Sequence, residues 1–170
     1  MKKYILSALI IAGAGFGLLS CNNGDYDANP NTNNNGVYNP LKGVDVSLLT
    51  TGSWKMSSAI WVSQSNDTLD IFGDMDECEK DNIFTFSQPD TLITDEGASI
   101  CFSGDPQVRK DEIWSMFSNN SKIKISDLTN NWATTEWDIV TLTNSVFVIR
   151  HSGVVFNNVS GTTTATYTRP

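Results

Sequence analysis

Basic side chains are scarce in this chain. Eleven lysines and arginines face nineteen aspartates and glutamates, for a formal charge of −8. A nucleic-acid or anionic-lipid partner needs clustered cations to displace counterions, and no basic stripe is present. Histidine is rarer still, with His151 standing alone. Two cysteines and one distant histidine do not complete a tetrahedral zinc site. Without a Gly-x-Ser-x-Gly elbow, His151 also lacks the frame of a hydrolase triad. It alternates with Phe147 and Ile149, so its plain reading is a histidine at a sheet edge or barrel mouth. No Gly-rich phosphate loop, Walker motif or Cys-x-x-Cys occurs. Asp67, Asp70, Asp74, Asp76, Glu77, Glu79 and Asp81 do crowd one region. Asp74-x-Asp76 nevertheless lacks the Asp/Asn-x-Gly continuation of a calcium loop, and a solvated acidic surface accounts for the cluster. The sequence predicts no enzyme, no metal and no cofactor.

Long apolar runs are missing too, with one short exception. Lys2 and Lys3 precede an uncharged apolar stretch from Ile5 to Leu19. As a helix it would span roughly 22 Å, short of the ~30 Å hydrocarbon core of a bilayer. It fits the apolar region of a signal peptide better than a membrane span. The cleavage end has no A-x-A pattern and reads Leu18-Leu19-Ser20-Cys21. That tetrapeptide resembles the lipobox of bacterial lipoproteins. The resemblance implies that residues 1–20 are removed and that Cys21, carrying diacylglycerol, becomes the first residue. Several acyl chains, at ~0.8 kcal/mol per buried methylene, hold a protein on a membrane where a single chain is marginal.

Only three cysteines are present. With Cys21 lipidated, Cys78 and Cys101 remain as an even pair in an exported, oxidising compartment, and a disulfide is expected. Residues 21–44 are Asn-rich, carry Gly24, Gly36, Pro30 and Pro40, and have almost no apolar side chains. Such a segment cannot offset its ordering entropy and reads as a tether, with a reach of about 25–30 Å. Asp25 and Asp27, just behind Cys21, look like the surface-export signals of Bacteroidetes lipoproteins. The expected location is the cell envelope, anchored to the outer membrane on its periplasmic face or at the cell surface.

Residues 45–170 form the folded domain. Asp45 is placed to cap a short helix through Leu48-Leu49, ended by Gly52. Strand formers dominate from Ser53 onward. Trp54, Met56, Ile60 and Val62 are expected on one face of a first strand. Ile123 and Ile125 share a face of another, and the C-terminal run points its threonines outward with Ala165, Tyr167 and Arg169 together. Further stretches at 83–87, 91–95, 113–117, 134–141 and 146–150 are separated by turn residues. The sum is about eight antiparallel strands joined mostly by short connections, an up-and-down meander that closes into a barrel. In the long first connection, Ile71, Met75 and Cys78 recur at helical spacing and predict a short helix within 69–80.

Several segments then match a family pattern. Gly52-Ser53-Trp54 looks like the Gly-x-Trp start of lipocalins. The run Cys78-Glu79-Lys80-Asp81-Asn82-Ile83-Phe84-Thr85-Phe86 resembles a segment of the lipocalin-like domain lipoproteins of Bacteroidetes. So do Asp95-Glu96-Gly97-Ala98, Cys101, Gly104-Asp105-Pro106, Ile113-Trp114-Ser115 and Tyr167-Thr168-Arg169. The resemblance covers roughly residues 48–170. It implies an eight-stranded lipocalin-like (calycin-type) barrel whose bottom is closed by Arg169 over the Trp54 indole. Phe84, Phe86, Trp114, Trp132 and Trp137 are then either the lining of an apolar ligand cavity or simply the filling of a small barrel. The expected activity is non-enzymatic binding of a small hydrophobic or amphipathic ligand. The alternative is a structural or protein-interaction module of the envelope with a fully packed barrel.

Overall fold

The computed structural model describes residues 44–129 and 133–170. The predicted leader, the lipidation site Cys21 and Trp132 lie outside the described residues, as does the tether apart from Val44. Val44 belongs to the domain: its side chain is buried in the core, and its carbonyl accepts from Asn120 Nδ2 at 3.2 Å.

A single turn of helix, α1 (Val46–Thr50), opens the fold. Asp45 caps it by accepting from the Ser47 amide at 2.9 Å, and Gly52 turns the chain at φ +78°. Nine strands follow: β1 (Trp54–Ser63), β2 (Thr68–Asp70), β3 (Ile83–Ser87), β4 (Thr91–Asp95), β5 (Val108–Phe117), β6 (Lys122–Asp127), β7 (Ala133–Leu142), β8 (Val146–Phe156) and β9 (Val159–Thr168). Every pairing is antiparallel, in the order β2-β1-β3-β4-β5-β6-β7-β8-β9, and a β1–β9 ladder closes the ring. Eight strands make the barrel. The ninth, β2, is a three-residue strip on β1.

Between β2 and β3 the expected helix is two single turns, α2 (Ile71–Asp74) and α3 (Glu77–Lys80). The break falls at Met75, whose ψ of 150° is extended, because Asp76 starts a second helix. Asp76 and Glu79 form a reciprocal capping box there, an arrangement that satisfies orphan amides only at a helix beginning. The Cys78–Cys101 disulfide, with Cα atoms 5.3 Å apart, ties α3 to the β4–β5 loop.

The first strand departs from the expected face. A bulge between Met56 and Ser58 adds a residue and shifts the alternation, so Ala59 and Trp61 point inward in place of Ile60 and Val62. Thr163 likewise sits inside, 1% exposed, on the same face as Ala165. β5, β8 and β9 are longer than predicted. The β8–β9 hairpin turns at Asn157 and Asn158, with φ of +49° and +66°, the left-handed pair that a two-residue hairpin requires.

The barrel's two ends differ. Tight turns at 88–90, 118–121 and 143–145 and helix α1 lie at one end, the closed floor. The longer loop at 96–107, the chain leaving β6 at Leu128 and the 157–158 hairpin tip lie at the other, the mouth.

Candidate functional site

The interior divides across its height. On the floor side, inward residues of successive strands are apolar and largely aromatic. Phe147 is 1% exposed and stands at the centre. Its ring meets Trp54 at 5.6 Å, Tyr167 at 5.7 Å and Phe86 at 5.8 Å between centroids. Phe86 meets Trp114 edge-on at 5.6 Å, and Phe84 meets Tyr167 edge-on at 5.8 Å. Edge-to-face pairs of this kind add about 1 kcal/mol each beyond the area they bury. Of the candidate lining residues that the structure describes, Phe84, Phe86 and Trp114 therefore join one ring network with Trp54, Phe147 and Tyr167. Trp137 lies apart, packed on His151 at 5.2 Å.

Arg169 seals this end. Its guanidinium lies 3.6 Å from the Trp54 ring centroid and donates to the carbonyls of Leu48 at 2.8 Å, Ser53 at 3.0 Å and Asn144 at 3.1 Å. Trp54 Nε1 donates in turn to Leu49 O at 2.9 Å. One cation thus joins α1, the start of β1 and the β7–β8 turn.

The mouth side is lined differently. Thr94 and Glu96 at the end of β4 and after it, Glu112 on β5, Asp127 on β6, Thr135 on β7, Thr163 on β9 and Ser63 on β1 are all buried. Arg109 Nη2 pairs with Glu96 Oε1 at 3.1 Å. Asp127 Oδ1 accepts from the Thr129 amide and hydroxyl, both at 2.7 Å. His151 sits in register with Thr163, and its Nδ1 donates to the Glu136 carbonyl at 2.7 Å, which leaves Nε2 as the free end of the ring. No serine–carboxylate pair joins it there among the described hydrogen bonds.

Glu112 stands apart among the carboxyls of this lining. It stands opposite Leu92 on one neighbouring strand and Asp127 on the other. It has neither a hydrogen bond nor an ion pair among the described residues, and only 7% of its surface is exposed. Burial is the main cause that pushes its carboxyl up to about 7, with Asp111 and Asp127 adding to the shift and Arg109 opposing it. Burial also raises the Tyr167 hydroxyl, helped by the Glu112 carboxylate.

Glu112 was not singled out by the sequence. It sits in Arg109-Lys110-Asp111-Glu112, which has the look of a solvated charged run. The available signal was alternation: Glu112 is two residues before the inward Trp114. A bulge on β5 at 110–111 then brings Arg109 back to the inner face.

The acidic run at 67–81 is consumed by local structure. Asp70 caps α2 through the Gly73 amide at 2.8 Å, and Asp67 accepts from Ser65 Oγ at 2.8 Å. Asp81 accepts from the amides of Ala98 at 2.9 Å and Ser99 at 3.1 Å, which pins the β4–β5 loop. Among the described residues no group of three His, Cys, Asp or Glu side chains is placed to hold a metal ion.

Surface depressions are shallow and lie at the mouth. One of about 500 Å³ runs along Asp105–Asp111, and one of about 190 Å³ lies between the mouth ends of β1, β8 and β9. Compared with protein-family models and with curated proteins, the chain matches none.

Proposed function

We propose that this chain is a lipid-tethered envelope protein whose head is a non-enzymatic binding module, of the kind its sequence resembles in Bacteroidetes lipoproteins. It takes a small amphipathic ligand at the barrel mouth. The observation that carries this reading is the asymmetry of the interior: a floor sealed by Arg169 and filled by rings, beneath a mouth lined with buried polar groups. A filled floor moves the ligand's place upward, from the apolar cup of a hollow barrel to the polar level above Trp114. The Leu18-Leu19-Ser20-Cys21 motif supports the tether.

Two experiments test the two halves. Expressed with its own leader in a Gram-negative host, the full chain should partition to membranes and gain the mass of a lipidated N-terminal cysteine. Cys21→Ser should abolish both; a soluble parent with its first twenty residues intact would refute the anchor. For the binding half, an environment-sensitive apolar dye titrated against the full chain should give a saturable change in its own emission and in tryptophan fluorescence. Silence in both signals would favour the second reading, a packed barrel that acts through its outer surface. The continuous ring contacts of the floor are what that reading has in its support.

A further inference from the structure

We propose that the mouth docks on a neutral, zwitterionic lipid surface, with an apolar crown around the barrel's rim as its contact. This rests on the lipid-tethered reading above and names the surface that the mouth faces.

The crown comes first. Among the described residues the most exposed large apolar side chains are Ile100, Phe102, Val108, Leu128, Val155 and Val159, between 38% and 48% exposed. All six are at the mouth. Ile100 and Phe102 are in the β4–β5 loop, Val108 opens β5, Leu128 follows β6, and Val155 and Val159 flank the β8–β9 turn. In the strand order, the β4–β5 and β8–β9 connections stand on opposite sides of the ring. A small ligand in one of the shallow depressions there cannot touch both sides, whereas a broad, deformable surface can. Exposed apolar area gathered at one end of a domain marks a contact of that kind.

The β4–β5 loop is built to hold its apolar pair outward. Cys101, between Ile100 and Phe102, is bonded to Cys78, and Asp81 accepts from the amides of Ala98 and Ser99. Fixed at both points, the loop is kept from folding these two side chains into the barrel. Lipid can then receive them at little further loss of chain freedom.

Charge selects the lipid. With a formal charge of −8 and no basic stripe, the chain is repelled by an anionic surface. The depression of about 500 Å³ that includes Val108 carries both signs, Lys110 with Asp105 and Asp111. None of these three has an ion-pair partner among the described residues. A zwitterionic headgroup complements that pattern, its phosphate toward Lys110 and its amine toward the aspartates.

The tether supplies the reach. It joins the domain at Val44, whose carbonyl is held by Asn120 at the floor, away from the crown. A ten-residue strand such as β1 runs about 33 Å, or about 25 Å of barrel height at the usual tilt. A tether reach of about 25–30 Å spans that height, so a lipid on Cys21 and the crown can share one bilayer. Two weak contacts joined in this way hold better than either alone.

The test uses the full chain, expressed with its leader and placed in vesicles of phosphatidylcholine and phosphatidylethanolamine. Brominated acyl chains in those vesicles quench tryptophan where it enters the lipid. Phe102→Trp should lose about half of its added emission, and Ser145→Trp, on the β7–β8 turn of the floor, less than about a tenth. Should Phe102→Trp not fold, Val155→Trp on the far side of the crown carries the same expectation. Replacing about half the lipid with anionic phosphatidylglycerol should lower quenching of the crown reporter about twofold or more, and salt should restore it. Equal quenching of the crown and floor reporters, or more at the floor, would overturn the proposal while leaving the tether intact. So would crown quenching that rises with anionic lipid. Shielding of the crown that vanishes as protein is diluted in lipid would identify a second copy as the occupant and overturn it as well. An unacylated chain that floats with the vesicles and has its crown quenched would refute the tether and keep the docking. A chain that does not float at all would end both.

Discussion

A carboxyl on the inner wall of a small barrel is held away from water, and for Glu112 burial outweighs the nearby Arg109, moving the group from 4.5 to about 7. The folded chain therefore keeps a proton that the unfolded chain releases near 4.5. Protonated Glu112 contributes fully to stability below that value, and the contribution is lost as pH rises through about 7. Glu112→Gln should match the parent at pH 4 and exceed it at pH 8 by up to about 3 kcal/mol in urea unfolding. Curves separated by a constant amount at every pH would show that Glu112 is not the responsible group. Arg169 offers the complementary case, a charge whose donors are spent on three carbonyls and whose plane covers an indole. Arg169→Lys keeps the charge but not the planar fork and should cost about 2 kcal/mol, with Arg169→Ala costing somewhat more, read as a fall in the urea midpoint. The two residues differ in how legible they were. Arg169 stood in a recognisable terminal motif, whereas Glu112 was hidden in a charged run whose inward member only alternation from Trp114 could have marked.

At the scale of elements, strand positions were legible and strand faces less so. The stretches at 83–87 and 91–95 coincide with β3 and β4, because turn residues bracket them and the strand formers between are uninterrupted. Faces were lost wherever a bulge adds a residue, since one extra position inverts every side chain beyond it. That is why Trp61 rather than Val62 is inside, and why Leu142 rather than Thr141 is inside past the irregularity on β7. Bulges leave no reliable composition mark, although Gly153, at φ +86° within β8, is one visible trace. A glycine also reports on the mouth. A Cβ on Gly161 would collide with the Trp61 indole and the Val62 carbonyl, so Gly161→Ala should destabilise by about 2 kcal/mol and lower the melting temperature. The disulfide bounds a different element pair, and in the chain-entropy picture it contributes about 3 kcal/mol. Cys78→Ser should therefore melt below the parent in oxidising buffer and level with the parent once reductant is added. Two free thiols in the untreated protein would contradict the pairing.

For the whole molecule, the sequence could announce a closed meander but not how its interior is divided. That division depends on which rings meet across the barrel, and contacts such as Phe147 with Phe86 join strands far apart in the chain. The ring closes unevenly. β9 pairs with β1 along almost its whole length, yet on the other side β3 meets only Trp54 and Lys55, and β2 meets Ile60 to Val62. The stretch of β1 between those two ladders has no strand neighbour on that side among the described residues, and α2 packs against β1 in their place, with Ile71 and Phe72 on the core. A hoop joined through so brief a splice will part there before anywhere else. Deuterium should enter the amides of β3 and of Met56–Ala59 well ahead of those in β8 and β9.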